Sequence, residues 1–128
     1  MKIEHIAIWS NDIETLKKFY EKYFHAVSSK KYINESKQFQ SYFLSFDSGC
    51  RLELMQMPSI KANENCEVPL SGMAHFAVSV GSNKNVDRIT NILRNGGCTI
   101  LREPRYTGDG YYESVTIDPD GNKIEITA

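Results

Sequence analysis

The sequence is poor in cysteine, has almost no net charge and contains no long apolar run. Its three cysteines, Cys50, Cys66 and Cys98, are an odd number and form no CxxC pair. That argues against a disulfide framework and favours a reducing compartment, so we expect a cytoplasmic protein. The formal net charge of −1 gives no electrostatic basis for binding nucleic acid or an anionic membrane. No stretch has the length of a membrane span or the apolar core of a signal peptide, so we expect a soluble domain.

The first half of the chain has the pattern of one strand, one helix and three further strands. Residues 2–10 alternate between apolar and polar positions and are rich in β-formers. A helix is predicted over 12–24, with Asn11 or Asp12 as its cap and a left-handed His25 at its end. The three further strands are predicted at 26–33, 39–46 and 51–57.

After the polar stretch 58–72, which is predicted as a linker, the same order of elements returns. A strand at 73–80 is followed by a helix at 85–95, which Gly96 and Gly97 would end. Asn83 and Asn85 are the candidate caps of this helix. The last strands are predicted at 98–103, 111–118 and 122–127.

The β-α-β-β-β order therefore occurs twice, in a module at 1–57 and a module at 73–128. Each module alone would be a sheet with one helix, too small to bury its own core well. Pairing the modules within one chain, or pairing chains, would solve this problem. We predict an α+β fold in which residues 1–128 form a single domain of two βαβββ modules.

Four predicted strands each carry one polar residue opposite their aliphatic face. His5 and His75 lie in the first strand of each module, and Glu53 and Glu125 lie in the last. A lone histidine or glutamate on a strand is more often a hydrogen-bonded or solvated residue. Here the same residue types return at nearly matching positions of both modules, which favours a shared role. Two nitrogen and two oxygen donors suit a divalent transition metal such as Zn, Ni, Co or Mn.

This pattern resembles the vicinal oxygen chelate superfamily, the group of glyoxalases, bleomycin-resistance proteins and extradiol dioxygenases. The resemblance covers essentially the whole chain and lies in HIAI, ETLKKFYEKYF, RLEL, AHFAVSV and, most specifically, DPDGNKIEI. It implies paired βαβββ modules whose mixed sheet curls around a metal-binding cleft. The four predicted metal ligands match the quartet of bacterial-type glyoxalase I, or lactoylglutathione lyase, residue by residue: His5, Glu53, His75 and Glu125.

Other members of the superfamily fit less well. Extradiol dioxygenases and fosfomycin-resistance thiol transferases use two histidines and one glutamate, without a glutamate at the place of Glu53. Methylmalonyl-CoA epimerase commonly has glutamine there, and bleomycin-binding members lack the metal set. The resemblance is therefore closest to glyoxalase I. An acyl-CoA epimerase and a non-catalytic small-molecule binding or resistance protein remain the alternatives.

The residues expected to bind substrate depart from the glyoxalase I pattern. Trp9 and Met57 stand where that family has the Arg and Asn that hold the γ-glutamyl end of glutathione. Replacing Arg by Trp removes a charge and five hydrogen-bond donors. Another thiol or a more apolar substrate is therefore the alternative to glutathione. Arg102 could recognise a substrate carboxylate or phosphate, and Tyr111 follows a Gly-rich loop that could cover the cleft, although a solvated sheet edge and an ordinary hairpin compete with these roles.

The chemistry that fits these residues is proton transfer next to a carbonyl group. A metal would bind two adjacent substrate oxygens and stabilise the enediolate that forms when the C–H proton leaves. By resemblance, Glu125 is the predicted base and Glu53 the alternative. A hemithioacetal would give a 2-hydroxyacyl thioester, and an acyl-CoA would be epimerised. Related enzymes also build the cleft from two subunits, so we expect a homodimer that acts on a small molecule.

Overall fold

The computed structural model describes residues 1–61 and 71–128. The chain divides into two compact units, Met1–Ala62 and Asn63–Ala128. Most of the predicted linker, and Cys66 with it, lies outside the described residues. Among the residues that are described, no helix combines the length and apolar character needed to cross a bilayer. A single domain over residues 1–128 stays a prediction.

The first unit is a five-stranded mixed sheet with one helix. Its sheet order is β1-β5-β4-β2, with β3 paired to β4 as well. β1 and β5 run parallel, whereas the other pairs are antiparallel. The elements are β1 (His5–Trp9), α1 (Ile13–Phe24), β2 (Val27–Ser28), β3 (Tyr32–Asn34), a 3₁₀ turn (Glu35–Lys37), β4 (Phe39–Ser45) and β5 (Arg51–Gln56).

The helix α1 begins and ends as the sequence predicts. The Asp12 side chain accepts hydrogen bonds from the backbone N–H groups of Glu14 and Thr15, so it satisfies two donors that have no partner within the helix. His25 ends the helix in the left-handed conformation, with φ of 55°. The buried face of the helix packs beside the apolar face of the sheet, which carries Leu52 and Leu54. That face consists of Ile13, Leu16, Phe19, Tyr20, Tyr23 and Phe24.

One predicted strand of the first unit is wrong in extent. The strand expected at 26–33 is broken into β2 and β3. At the break, the Ser29 hydroxyl accepts a hydrogen bond of 3.0 Å from the Phe43 N–H. Both β2 and β3 pair with β4, and Phe43 belongs to β4. A side-chain oxygen thus accepts a hydrogen bond from a backbone N–H of β4, and such side-chain bonds compete with a regular backbone ladder.

The second unit is a four-stranded mixed sheet in the order β6-β9-β8-β7, also with one helix. β6 and β9 run parallel, as β1 and β5 do in the first unit. Val86 and Leu93 of the helix are fully buried, as are Ile124 and Ile126 of the sheet. The elements are β6 (Phe76–Ser79), α2 (Asn83–Asn95), β7 (Ile100–Tyr106), β8 (Tyr112–Ile117) and β9 (Lys123–Thr127).

Two boundaries differ from the sequence prediction in this unit. The cap of α2 is Ser82, whose hydroxyl accepts from the Asn85 N–H, and neither Asn83 nor Asn85 has that role. The Asn85 side chain instead donates to the Val80 carbonyl at 2.8 Å. β7 extends to Tyr106 despite an internal proline, because it is the edge strand and its register is irregular.

The predicted fold class is confirmed. The described residues form an α+β structure in which each half contains a mixed sheet and one helix, and the first and last strands of each half are parallel neighbours. This pairing brings together the two strands that carry the predicted ligands in each half.

Candidate metal centre

In the first unit, His5 and Glu53 lie on the same face of the sheet. Ala7 pairs with Glu53 across β1 and β5, and His5 is two residues before Ala7. Side chains alternate along a strand, so Leu52 and Leu54 point the other way, into the core. Nε2 of His5 is 3.8 Å from Oε2 of Glu53, whose side chain is only 15% exposed. We call this side of the sheet the first ligand face.

Glu4 fixes the orientation of the His5 ring. Its Oε2 lies 2.6 Å from Nδ1 of His5, and its Oε1 accepts from Nε of Arg51 at 2.8 Å. These bonds, first the one from His5 and then the one from Arg51, lower the pKa of Glu4. An ionised carboxylate can only accept, so Nδ1 is the donor of this bond, and in the neutral imidazole the lone pair is then on Nε2. That is the arrangement in which a histidine binds a metal through Nε2.

Phe43 supports the same pair from the neighbouring strand. It is the β4 residue that pairs with Glu53, and its ring meets the His5 ring edge-on with centroids 5.4 Å apart. The Arg51 guanidinium lies 4.2 Å from the centre of the Phe43 ring. His5 is therefore held by an acidic residue at Nδ1 and by an aromatic edge.

In the second unit, His75 and Glu125 form the equivalent pair. Nε2 of His75 is 2.9 Å from Oε2 of Glu125, and the Glu125 side chain is 18% exposed. His75 directly precedes β6, and Ala77 pairs with Glu125 in the parallel ladder. Glu125 thus lies opposite Ile124 and Ile126, which are buried against the helix side. We call this side the second ligand face.

Glu113 is a further acidic residue on the second ligand face, and sequence reasoning missed it. It pairs with Thr127, two residues from Glu125, so both glutamates lie on the second ligand face. Glu113 is 8% exposed. A hydrogen bond between the two carboxyl groups, together with burial, raises the pKa of Glu113. The strand alternation around Val115 carried the signal that could have placed it on this face.

The remaining predicted site residues lie on or near these faces. Trp9 shares the first ligand face with His5 and meets Phe39 edge-on at 6.3 Å. Met57 follows β5 and lines a cavity of the first unit. Arg102 pairs with Val115 and so lies on the second ligand face. Tyr111 is exposed just before β8, where its N–H donates to the Thr107 hydroxyl and closes a hairpin turn.

The donors fit a divalent transition metal in type, since each pair offers an imidazole nitrogen and a carboxylate oxygen. Within residues 1–61 and 71–128, no three His, Cys, Asp or Glu side chains form a group that could hold a metal ion by themselves. The structure brings the predicted ligands together as two His–Glu pairs, one in each unit. A single site made of all four residues stays a prediction.

Comparison with solved structures shows the same fold in several glyoxalases. Glyoxalase I of Zea mays has a TM-score of 0.80 and 20% identity, and the match covers 98% of this chain but only 44% of the maize chain. The trypanothione-dependent glyoxalase I of Leishmania major has a TM-score of 0.80 and 21% identity, with 99% and 86% coverage. A glyoxalase family protein of Enterococcus faecalis has a TM-score of 0.81 and 20% identity, with 99% and 97% coverage. At such identities the likeness shows the fold alone.

A comparison with curated proteins finds no match. The family comparison is more informative, because one family model matches residues 2–126, nearly the whole chain. Its match spans both His–Glu pairs and both parallel strand pairs that position them. The chain therefore belongs to the Glyoxalase/Bleomycin resistance protein/Dioxygenase superfamily.

Proposed function

We propose that this protein is a metal-dependent lyase or isomerase of the glyoxalase I type, which moves a proton next to a carbonyl group. The observation that supports this most directly is the repeated pair: a histidine Nε2 within 3.8 Å of a glutamate in one unit and within 2.9 Å in the other. Independent surface residues have no reason to return in this geometry in both halves. The intact set of four favours an enzyme over a binding protein.

Four residues would hold the ion, which could be Ni, Zn, Co or Mn: His5, Glu53, His75 and Glu125. A divalent ion supplies Lewis-acid stabilisation of negative charge on substrate oxygens. Glu4 keeps Nε2 of His5 available by accepting a hydrogen bond from Nδ1–H. The low exposure of Glu53 and Glu125 limits their hydration, so each carboxylate is pre-oriented on its ligand face.

The base is Glu125, with Glu53 as the alternative. A carboxylate that faces the reacting carbon accepts the C–H proton and returns it to the neighbouring carbon. For the adduct of a 2-oxoaldehyde and a thiol, this transfer gives a 2-hydroxyacyl thioester. On an acyl-CoA, removal of the α-proton and return of a proton to the opposite face of the same carbon would epimerise it. The dependence of turnover on a thiol separates the two activities.

The proposal is tested by metal content. The purified chain is exposed to nickel, cobalt or zinc, desalted and measured by mass spectrometry for ions per chain. We expect close to one ion per chain, and a loss of affinity of more than about 100-fold in Glu125→Gln, because removing a direct ligand costs more than the ~10–100-fold of an outer-shell change. Glu103→Gln is the control, since Glu103 is 68% exposed and pairs with Arg94.

Activity is measured next, with methylglyoxal and several thiols as substrates. Turnover that needs both the metal and a thiol supports the glyoxalase reaction. If the wild-type protein holds no ion, or if Glu125→Gln holds it as tightly, the lyase mechanism is wrong. The chain would then be a binding protein on a metalloenzyme scaffold.

A further inference from the structure

Two arginines of β7 lie on the second ligand face, although their spacing alone would not place them together. Arg102 and Arg105 are three residues apart, and residues at that spacing lie on opposite faces of a regular strand. Here Arg102 is opposite Val115, which is also the partner of Glu125. Arg105 is opposite Glu113, so β7 has one residue more than β8 between the two pairs. Because paired residues share a face, this bulge brings both arginine side chains to the face of Glu125.

Glu103, which lies between the two arginines, belongs to the opposite side of the sheet. Its carboxylate forms an ion pair with Arg94 of α2. The helix packs on that side, where Ile124 and Ile126 are buried. The charges of β7 are thus sorted by face: the negative charge is neutralised at the helix, and the two positive charges lie on the side of the predicted metal ligands.

Neither guanidinium group has an acidic partner among the residues that the structure describes. The Arg102 side chain makes no hydrogen bond or ion pair there, and the Arg105 side chain makes one weak hydrogen bond, 3.5 Å long, to the Tyr106 carbonyl. Glu113 is the cross-strand neighbour of Arg105, but its carboxyl group forms a hydrogen bond with Glu125 instead. Both arginines are exposed. Two positive charges are therefore available to an anion from solution.

The number and spacing of these charges favour a phosphate group over a carboxylate. The partners of Arg102 and Arg105 on β8 are two residues apart, which is about 7 Å along a strand, so both guanidinium groups can reach one anion. A carboxylate has two oxygens and one charge, which a single guanidinium fork satisfies. A phosphate monoester has three free oxygens and a charge of about −1.5 to −2, so it can bind both forks.

The arginines are also within reach of the predicted base. One strand, β8, separates Arg102 from Glu125, and this places their backbones about 10 Å apart on the same face. A substrate with its reacting carbon at Glu125 could therefore extend across β8 and place an anionic group at the edge strand.

We propose that Arg102 and Arg105 form an anion site on the second ligand face, which binds a phosphate monoester group of the substrate. The position of the reacting carbon at Glu125 rests on the proposed function, whereas the anion site rests on the register and the charges of β7. Two substrate classes carry such a group: a short phosphorylated 2-oxoaldehyde adduct, and an acyl-CoA, whose phosphate monoester lies at the end of a long arm.

The test is an NMR titration of the metal-free protein with methyl phosphate and with acetate. We expect methyl phosphate to bind about 10-fold more tightly than acetate, because it can engage both forks, and to shift the backbone amides of β7. Arg102→Gln and Arg105→Gln should each weaken methyl phosphate binding about 10-fold, since each removes one bidentate contact. Arg88→Gln is the control, because it removes the same charge from the exposed side of α2 and should change nothing.

Three results would each overturn the proposal: equal affinities for the two probes, normal methyl phosphate binding in both β7 variants, or an equal loss in Arg88→Gln. Thermal unfolding shows whether each variant is folded. Arg102→Lys and Arg105→Lys repeat the test if a glutamine variant is not folded, and they should lose part of the affinity because they keep the charge without the fork.

Coenzyme A is the second probe and separates the two substrate classes. Much tighter binding than that of methyl phosphate, lost in the same variants, identifies an acyl-CoA, whereas similar binding identifies a short phosphorylated substrate. Since no metal and no turnover enter these measurements, a chain that binds methyl phosphate at the arginines but holds no ion disproves the lyase and keeps the anion site. A chain that holds the ion but does not bind methyl phosphate does the reverse.

Discussion

At the scale of single residues, the Glu4 carboxylate binds both His5 and Arg51. One of its oxygens accepts a hydrogen bond from Nδ1–H of His5, and the other accepts a hydrogen bond from the Arg51 guanidinium. Sequence reasoning found the ligand but missed this partner, because neighbours in a strand point to opposite faces and no pattern predicts that they meet. Here His5 lies at the very start of β1, where the chain is less constrained than in the middle of a strand.

We predict that Glu4→Gln weakens metal binding about 10–100-fold, the usual effect of losing an outer-shell carboxylate. A neutral amide accepts a weaker hydrogen bond from Nδ1–H than a carboxylate does. The tautomer with its lone pair on Nε2 is therefore less strongly favoured. Competition with a chromogenic zinc chelator measures the affinity. Glu21→Gln is the control, since its carboxylate is bound to Lys17 and Ser28 on another part of the unit. Unchanged affinity in Glu4→Gln would contradict this role.

The contacts of Glu14 predict how the free energy of unfolding depends on pH. Its carboxylate accepts from Nζ of Lys31 and from the Tyr42 hydroxyl, each at 2.9 Å. The Lys31 bond is the largest effect and, with the Tyr42 bond, holds the pKa of Glu14 below its ordinary value of 4.5. A carboxyl whose pKa is lower in the folded state stabilises the fold above the unfolded pKa, and this stability is lost as pH falls through the folded pKa.

Wild type and Glu14→Gln should therefore differ most in free energy of unfolding near neutral pH. The difference should shrink as the pH is lowered from about 4.5 and vanish once the folded carboxyl is protonated. Urea unfolding at a series of pH values measures it. A difference that is constant with pH would mean that the ionised carboxylate is not what stabilises this contact.

At the scale of elements, local sequence signals decided what could be predicted. The Asp12 cap and the left-handed His25 depend on a few adjacent residues, and both predictions are confirmed. The break between β2 and β3 depends on Ser29 meeting Phe43 on another strand, which no local window contains. Glu113 was missed for a different reason, because the alternation that places it was present but unused.

The cap of α2 is Ser82 and not either of the two asparagines that the sequence suggested, Asn83 and Asn85. Ser82→Ala should lower the free energy of unfolding by about 1 kcal/mol, because it leaves the Asn85 N–H without its side-chain acceptor. Asn83→Ala should cost less than half of this, since the Asn83 side chain donates to the hydroxyl of Tyr106, an exposed residue. Chemical unfolding of both variants measures the difference. A larger cost for Asn83→Ala would show that the cap is misassigned.

At the scale of the whole molecule, the internal repeat made the fold predictable. In both units a helix follows the first strand, and the sheet runs from the first strand to the last and then to the strand before it. The first unit has one strand more than βαβββ, because its second predicted strand is split into β2 and β3. What the repeat could not predict is the cavity of the first unit that Met57 lines, because its wall comes from three separate segments that meet only in space: Asn11, residues 33–40 and residues 56–60. Sequence spacing determines on which face of a strand a side chain lies. It does not determine the shape of the surface at the end of a sheet.

We expect two chains to associate. Each unit is small, and several large side chains of the first unit are exposed, among them Val27, Tyr32 and Ile33. Sedimentation equilibrium should therefore give twice the mass of one chain. Metal binding measured at rising dilution tells whether a site needs both copies: affinity that falls with dissociation indicates a shared site, and constant affinity indicates that each chain suffices.

The parallel pairing of β1 with β5, and of β6 with β9, has a consequence for the order of events in folding. His5 begins β1 and His75 directly precedes β6, whereas each glutamate lies in the last strand of its unit, so almost a whole unit separates each pair along the chain. Contacts between such distant segments form late, after the loops between them have closed. Neither His–Glu pair can exist in a half-folded unit, so the ability to capture an ion appears only when a unit is complete.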